Sequence, residues 1–190
     1  DDVFRRAAAA VRLGREPQPL PEGIGPLGAL RVGAEVMSIA EQTERGAVLS
    51  LRGNAEVRGE GFVVRADTIR LRVLYRDGDR RRQEPESLYA EGAVDVRRGA
   101  EHLTAEALYF DLIADTGLAR RARLRAEFAG GRFPIQIYAE NVRQYSRDRI
   151  GAEQGAWFSL SPFAEPHYRM EARSIDAVVG PGEHRMRRAQ

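Results

Sequence analysis

The alternation of apolar and polar residues predicts β-strands along most of the chain. Side chains on every second position share one face of a strand, whereas a helix needs apolar residues three or four positions apart. The period of two, bounded by turn residues such as Asp77-Gly78, predicts strands in the segments 30–39, 47–57, 62–75, 88–96, 101–112, 118–128, 133–145, 156–160 and 168–178. We therefore predict an all-β protein whose short strands are paired mostly antiparallel, with a charged loop at 76–86.

One sequence unit is repeated within this pattern. Residues 53–71 read GNAEVRGEGFVVRADTIRL and residues 92–110 read GAVDVRRGAEHLTAEALYF. The second half of the unit returns at 137–142 and again at 170–175. Repetition of this kind indicates a single structural module that stacks on its own copies.

Within the repeated half-unit the apolar positions change parity after an alanine and an acidic residue. Phe62, Val64 and Ala66 share one parity, and Ile69 and Leu71 share the other. The other copies change at the same place: Leu103 and Ala105 before Leu108 and Phe110, Ile135, Ile137 and Ala139 before Val142, and Met170 and Ala172 before Ile175 and Ala177. A strand keeps one face buried across such a change through a bulge or a corner. Four equivalent corners predict one bent sheet.

Proline and glycine content divides the 190-residue chain. Residues 1–27 hold a short Ala-rich segment, expected to be helical, and a linker with four of the nine prolines, so we expect this part to be partly disordered. Residues 28–180 form the predicted β-domain, and 181–190 are expected to be a polar tail. Because residue 1 is aspartate rather than methionine, we expect a targeting segment to have been removed, which is compatible with export.

Charge argues against nucleic acid as a partner. The 30 basic residues are all arginine, and 28 acidic residues are interspersed with them, for a net charge of +2. A nucleic-acid interface needs a one-sided basic surface, which this distribution does not predict. The chain also has no cysteine, so disulfides and thiolate chemistry are excluded, and no apolar run reaches the ~20 residues of a membrane-spanning helix.

The residues that could carry catalysis or bind a metal do not form a recognisable pattern. His102, His167 and His184 are far apart in the sequence and match no metal-ligand spacing, and no nucleophile motif or phosphate-binding loop is found. We therefore predict no catalytic residue, no metal site and no cofactor.

Three carboxylates recur at one position of the repeat and need a separate interpretation. Asp67, Glu106 and Glu140 are equivalent, but Arg173 occupies the fourth copy. A shared metal or acid–base role would not survive that exchange, whereas a solvent-face role would. We interpret these carboxylates as outward residues that pair across strands with arginines such as Arg65, Arg70 and Arg143.

The repeat resembles a known family. The pattern G-x-[AV]-[ED]-V-R followed by [VL]-x-A-[DE]-x-[IL], with the Asp115-Thr116-Gly117 turn, is similar to the OstA-like proteins of lipopolysaccharide transport. That family includes periplasmic bridge proteins of the LptA type and the N-terminal domain of the outer-membrane translocon of the LptD type. The resemblance is strongest over residues 49–123, and residues 133–177 resemble the later strands of the translocon domain.

The resemblance implies a folded-over antiparallel β-jellyroll, open along one side, that carries lipopolysaccharide or a related glycolipid across the periplasm. Like-folded proteins would be partners through strand addition at the sheet edges, and the translocon type would add an outer-membrane barrel and outer-membrane association. Since each buried CH₂ contributes roughly 0.8 kcal/mol, an apolar trough can hold acyl chains without a catalytic group. The residues expected to line this interior are Phe62, Val64, Ile69, Leu71, Leu103, Leu108, Phe110, Ile135, Ile137 and Val142.

A second interpretation of the same strands stays open. A β-stack with a filled core and no lipid cargo would serve as a structural or assembly module of a larger envelope protein. An enzyme, such as a carbohydrate-active β-fold, is disfavoured because no carboxylate pair stands outside the repeat. The two main alternatives differ in whether the halves of the bent sheet enclose a trough or a dry, packed core.

Overall fold

The computed structural model describes residues 30–128, 133–146, 149–178 and 185–189. Eleven strands form one sheet, and a single 3-10 turn, Arg76–Gly78, lies among the described residues. The strands are β1 (Arg31–Gly33), β2 (Val36–Gln42), β3 (Gly46–Gly59), β4 (Phe62–Tyr75), β5 (Gln83–Arg98), β6 (Glu101–Asp111), β7 (Thr116–Phe128), β8 (Phe133–Ser146), β9 (Arg149–Ser159), β10 (Met170–Val178) and β11 (Arg185–Ala189).

The sheet is a meander in which each strand from β3 onward pairs antiparallel with the next. β1 and β2 lie end to end along the free side of β3, opposite residues 56–58 and 47–52 respectively. Short connections between sequential neighbours favour this arrangement, because antiparallel strands can be joined by tight turns. The predicted all-β, antiparallel class is confirmed.

The predicted corners are present, and each involves two neighbouring strands. In β3, Gly53 and Asn54 stand opposite Asp67 of β4, so two residues face one. Register shifts of the same kind separate Glu91 from Val94 in β5 and Tyr138 from Asn141 in β8. Residues with positive φ mark the same row in the odd-numbered strands: Gly53 74°, Asn54 49°, Gly92 75°, Ala93 47°, Arg121 48°, Gln154 64° and Gly155 63°. We call this row across the sheet the corner line.

The first position of the repeated unit is glycine because a larger side chain would collide with a neighbouring carboxylate. A Cβ atom at position 92 would overlap the carboxylate of Asp67, and one at position 53 would lie 2.5 Å from a carboxylate oxygen of Glu35. Glycine also adopts positive φ without the strain that other residues incur. The first half of the unit therefore supplies the bulge, and a neighbouring carboxylate packs against its glycine: Asp67 at Gly92 and Glu35 at Gly53.

The corner line divides the sheet into two wings that fold onto each other. The first wing contains residues 55–66, 94–105, 122–128, 133–139, 156–159 and 170–172; the second contains residues 46–52, 68–75, 83–91, 107–120, 141–146, 149–153 and 174–178. Apolar side chains of both wings form one buried cluster. Its fully enclosed members include Leu49, Leu51, Val57, Ile69, Leu71, Val73, Leu88, Val94, Ile137 and Ile175.

Several boundaries differ from the sequence-based expectation. Residues 30–39 form two strands rather than one, because the chain breaks at Glu35, whose amide donates to the carbonyls of Arg52 and Gly53 at 3.1 and 2.9 Å. The 76–86 loop is shorter than predicted, since β5 begins at Gln83. Pro85 is accommodated in β5 beside a register shift, where a missing N–H costs little.

The structure describes part of the C-terminal end of the chain but not the N-terminal linker. Within the predicted polar tail, 181–190, Arg185–Ala189 forms β11, which pairs with β10 from Ile175 to Val178. Alternating polarity is weak in this arginine-rich strand, so the pattern did not reveal it. The predicted linker, 1–27, lies outside the described residues.

Candidate functional site

An apolar cavity of about 270 Å³ lies between the two wings near the middle of the sheet. Strands β4 to β9 contribute to its wall. The apolar lining consists of Phe62, Val64, Leu88, Val96, Leu103, Leu108, Phe110, Leu112, Leu118, Ala119, Leu124, Val142 and Ile150. A cavity with this lining binds apolar groups through burial and shape, because it offers few polar partners.

Six of the ten residues predicted to face the interior line this cavity. They are Phe62, Val64, Leu103, Leu108, Phe110 and Val142. The other four are buried but pack within the core away from the cavity wall: Ile69, Leu71, Ile135 and Ile137. The structure thus brings the predicted set onto one interior, while a lipid-binding role for its members remains a prediction.

Other lining residues were not among the predicted set. Leu88, Val96 and Leu124 belong to the straight strands between the repeated half-units. Their alternation with polar residues in the sequence would have been enough to predict that they face the interior. Ile150 lies on β9, beside a register shift near Gln144, where the period of two is interrupted. The repeat alone therefore identified only part of the cavity wall.

The cavity does not continue as an open trough through the whole stack. At β3 and β4 the wings pack directly against each other, and Leu49, Leu51, Ile69 and Leu71 are fully enclosed. This packed end supplies stability through apolar burial. The free volume begins at the first-wing half of β4, where Phe62 and Val64 line the same cavity as Leu108 and Phe110.

Four polar side chains, on different turns and strands, line the cavity. They are Arg98, Glu101, Asp115 and Gln144. Arg98 Nη2 lies 3.0 Å from a carboxylate oxygen of Glu101, and Arg98 Nη1 lies 3.9 Å from Asp115 Oδ1. Gln144 Nε2 donates to the backbone carbonyl and to Oδ1 of Asp115, at 3.2 and 3.3 Å. Since the ion-paired side chains are partly exposed to solvent, the cavity reaches the surface here.

The recurring carboxylates lie on the outer side of the corner line. Asp67 and Glu106 are exposed, and Glu106 contacts Arg120 at 2.9 Å and Arg121 at 3.5 Å. Arg121 also reaches Glu140 at 3.3 Å, so one guanidinium spans two neighbouring corners. The outward, cross-strand arrangement agrees with the prediction, and surface ion pairs of this kind contribute modestly to stability.

The arginines named in the prediction have other contacts. Arg65 pairs with Glu56 at 2.8 Å, and the Arg143 guanidinium lies 5.9 Å from the Tyr145 ring centre. The partners of Glu106 and Glu140 are Arg120 and Arg121 of β7 instead, and Arg121 has a positive φ of 48° on the corner line. Within the described ranges, no three His, Asp or Glu residues are close enough together to hold a metal ion.

Two carboxylates on the outer face have pKa values shifted by their neighbours. The hydrogen bond between His102 Nε2 and Asp95 Oδ2, at 2.5 Å, lowers the pKa of Asp95, and this effect exceeds the opposing effect of burial. Burial raises the pKa of Glu56, but hydrogen bonds from Arg65 and Arg58 outweigh it, so that this pKa is lowered overall. Both groups stabilise the folded sheet in their ionised form and lie away from the cavity wall.

The described strands are accompanied by no membrane-spanning helix, and the sequence has no match among known protein families. No helix in the described part of the chain is long and apolar enough to cross a membrane. No protein-family model matches the sequence, and no curated protein is similar to it at a significant level.

A solved structure has the same fold. The chain is similar to LptH, described as the LptA homologous periplasmic component of the conserved lipopolysaccharide transport device from Pseudomonas aeruginosa. The TM-score is 0.53 at 14% sequence identity, over 83% of this chain and 96% of that one. At this identity the similarity shows the fold, and the predicted folded-over β-jellyroll is confirmed.

Proposed function

We propose that this protein binds the acyl chains of lipopolysaccharide or a related glycolipid between its two wings and passes the lipid across the periplasm without catalysing a reaction. The observation that carries the proposal is the apolar cavity, whose four polar side chains are ion-paired or hydrogen-bonded to one another at its margin. The similarity in fold to LptH supports the choice of lipid and of compartment.

Apolar burial supplies the binding energy in this proposal. Each CH₂ transferred from water into the cavity contributes about 0.8 kcal/mol, and several such groups offset the loss of chain freedom on binding. A volume of about 270 Å³ is slightly below the ~300–1,000 Å³ typical of ligand sites. The closed form therefore holds part of one acyl chain, and a lipid with several chains requires the wings to separate.

The sheet edges suit partners of the same fold. At one end β1 and β2 pair only with β3 among the described residues, and at the other end Met170–Ser174 of β10 pair only with β9. Unpaired backbone groups at such edges add a strand from a neighbouring sheet. Because the similar structure is a periplasmic component, we favour a bridge of stacked jellyrolls over a translocon domain attached to an outer-membrane barrel.

Site-specific photo-crosslinking tests the proposal. A photo-reactive amino acid placed at Leu103, Leu108 or Phe110 should capture lipopolysaccharide, because these side chains line the cavity. Matched variants at Arg70 and Arg143, which are exposed on the outer face, should capture little. Capture confined to the outer positions, or equal at both sets, would overturn the proposal.

A structural module without lipid cargo is the second candidate, favoured by the tightly packed end at β3 and β4. Leu49 and Leu71, which pair across these strands, are both fully buried, as a filled core requires. If scaffolding were the whole function, no interior position would capture lipid, while the protein would still associate through its edges. The same crosslinking series therefore separates the two candidates.

A further inference from the structure

We infer that Arg98 and Asp115 form a clasp across the open seam between the wings, and that this ion pair opens to admit an acyl chain from the side. The inference rests on the proposed lipid-binding function, and it adds an entry point and the residues that control it. Arg98 ends β5 on the first wing, and Asp115 lies in the turn after β6 on the second wing.

The position of the pair defines the seam. Arg98 and Asp115 flank opposite ends of β6, an 11-residue strand that would span roughly 36 Å if straight, at about 3.3 Å per residue. Their side chains nevertheless lie 3.9 Å apart. This approach is produced by the corner in β6, which folds the strand so that its two ends meet at the margin of the two wings.

The pair closes the cavity at a polar boundary. Among the lining residues, Arg98, Glu101, Asp115 and Gln144 carry the polar side chains, and the rest of the wall is apolar. The Arg98 and Asp115 side chains are 33% and 41% exposed to solvent, so they lie between the apolar cavity and the solvent. An acyl chain that enters from the side at this margin passes between them.

Each member of the clasp also has a partner on its own wing. Glu101 holds the Arg98 guanidinium at 3.0 Å within the first wing. Gln144 of β8 donates to Asp115 at 3.3 Å within the second wing. Opening the seam therefore breaks one long, solvent-screened contact and leaves neither charge without a partner. Glu101 and Gln144 act as positioning residues, because they orient the two groups that meet across the seam.

These contacts give the site two accessible arrangements. An exposed ion pair at 3.9 Å is weak, and salt screens it further. Burial of several CH₂ groups outweighs the loss of such a contact, so lipid binding favours the open arrangement. In the absence of lipid the clasp keeps the apolar wall covered, which limits association through exposed apolar surface.

The test uses a covalent link across the seam. The chain has no cysteine, so the double variant Arg98→Cys and Asp115→Cys is labelled only at these two sites by a short bis-maleimide. A photo-reactive amino acid at Leu108 reports lipopolysaccharide capture in the linked and unlinked forms. Two single-cysteine variants, treated with the same reagent, control for modification without linkage.

The linked protein is expected to lose nearly all capture at Leu108, while the unlinked double variant and the single-cysteine variants, which lack the ion pair, capture lipid at least as fast as the protein with Arg98 and Asp115 intact. In addition, Arg98→Gln should raise the capture rate about two- to fivefold at low salt, the range that loss of an exposed ion pair supports. Added salt should raise the wild-type rate and leave the Arg98→Gln rate almost unchanged. The wild-type response to salt distinguishes a clasp from a general structural effect of the substitution.

Two outcomes overturn the inference in different ways. Equal capture by the linked and unlinked proteins would show that lipid enters elsewhere, and the proposed function would stand. Absence of capture in every form, in protein that gives the circular dichroism spectrum of a folded β-sheet, would overturn the proposed function and the clasp with it.

Discussion

The guanidinium of Arg98 and the carboxylate of Asp115 lie 3.9 Å apart although the two residues flank opposite ends of β6. A strand whose two ends come this close together must be folded, so it cannot belong to a flat sheet. The contact follows from the corner line, where bulges in the odd-numbered strands oppose outward carboxylates in the even-numbered ones. One recurring local distortion thus determines where the wings meet and where the cavity opens.

The bulge glycine provides the first prediction. Gly92→Ala should lower the free energy of unfolding by about 2–4 kcal/mol, because alanine is strained at φ 75° and its Cβ overlaps the Asp67 carboxylate. Gly61→Ala is the matched control, since Gly61 has φ 77° and open space around its Cβ position. Urea denaturation measures both, and the control should lose only about 1 kcal/mol from strain. Equal losses would contradict the role assigned to the Asp67 contact.

Filling the cavity gives a second prediction. Ala119 lines the cavity, whereas Ala122 is fully buried beside the corner and is not part of the cavity wall. Ala119→Leu should change stability by less than about 1 kcal/mol, because the added methyl groups enter free volume, and it should reduce lipid capture at Leu108 several-fold. Ala122→Leu should destabilise the protein by about 1–3 kcal/mol through overpacking. Unchanged capture in Ala119→Leu would argue against the cavity as the lipid site.

A third prediction concerns pH. The pKa of Asp95 is lowered by its hydrogen bond with His102, so the folded state binds a proton at this carboxyl less readily than the unfolded state does. The stabilising contribution is therefore present above the ordinary value of 3.8 and is lost as the pH falls through the lowered pKa of the folded protein. Asp95→Asn should lower stability by about 1 kcal/mol at neutral pH, and the difference should shrink in acid.

Thermal denaturation across the acidic range measures this dependence. Glu171→Gln is the control, because the pair between Glu171 and Arg169 at 3.2 Å is more than half exposed. Such a pair contributes little, so its removal should leave the pH profile almost unchanged. A difference between wild type and Asp95→Asn that persists unchanged at the lowest pH would contradict the assignment.

The free edge at β2 provides a fourth prediction. Ala40 lies at the register shift between Ile39 and Glu41 and has no registered partner in β3. Ala40→Pro places a proline in this edge strand and should weaken association with like-folded partners, including a second copy, with less effect on the fold than proline at a paired position. Sedimentation at increasing concentration measures the association, and Ala40→Ser is the control. Undiminished association would indicate that partners dock at the β10 and β11 end.

The amino-acid sequence by itself determined most of the strands, the corners and the apolar face, but not the break at Glu35 or strand β11. Side-chain direction along a strand is a local property, so the period of two and its change after Ala66 were sufficient to predict a bent sheet and ten inward residues. The outward direction of Asp67 follows from the same local geometry.

The tertiary structure alone decided where the interior is packed and where it is hollow. Ile69 and Leu108 occupy equivalent positions of the repeat, yet Ile69 is enclosed in the core and Leu108 lines the cavity. The difference depends on how closely the two wings approach at each strand, which no local pattern records. For the same reason the pairing of Arg121 with two corner carboxylates, and the contact between Arg98 and Asp115, became visible only in the folded sheet.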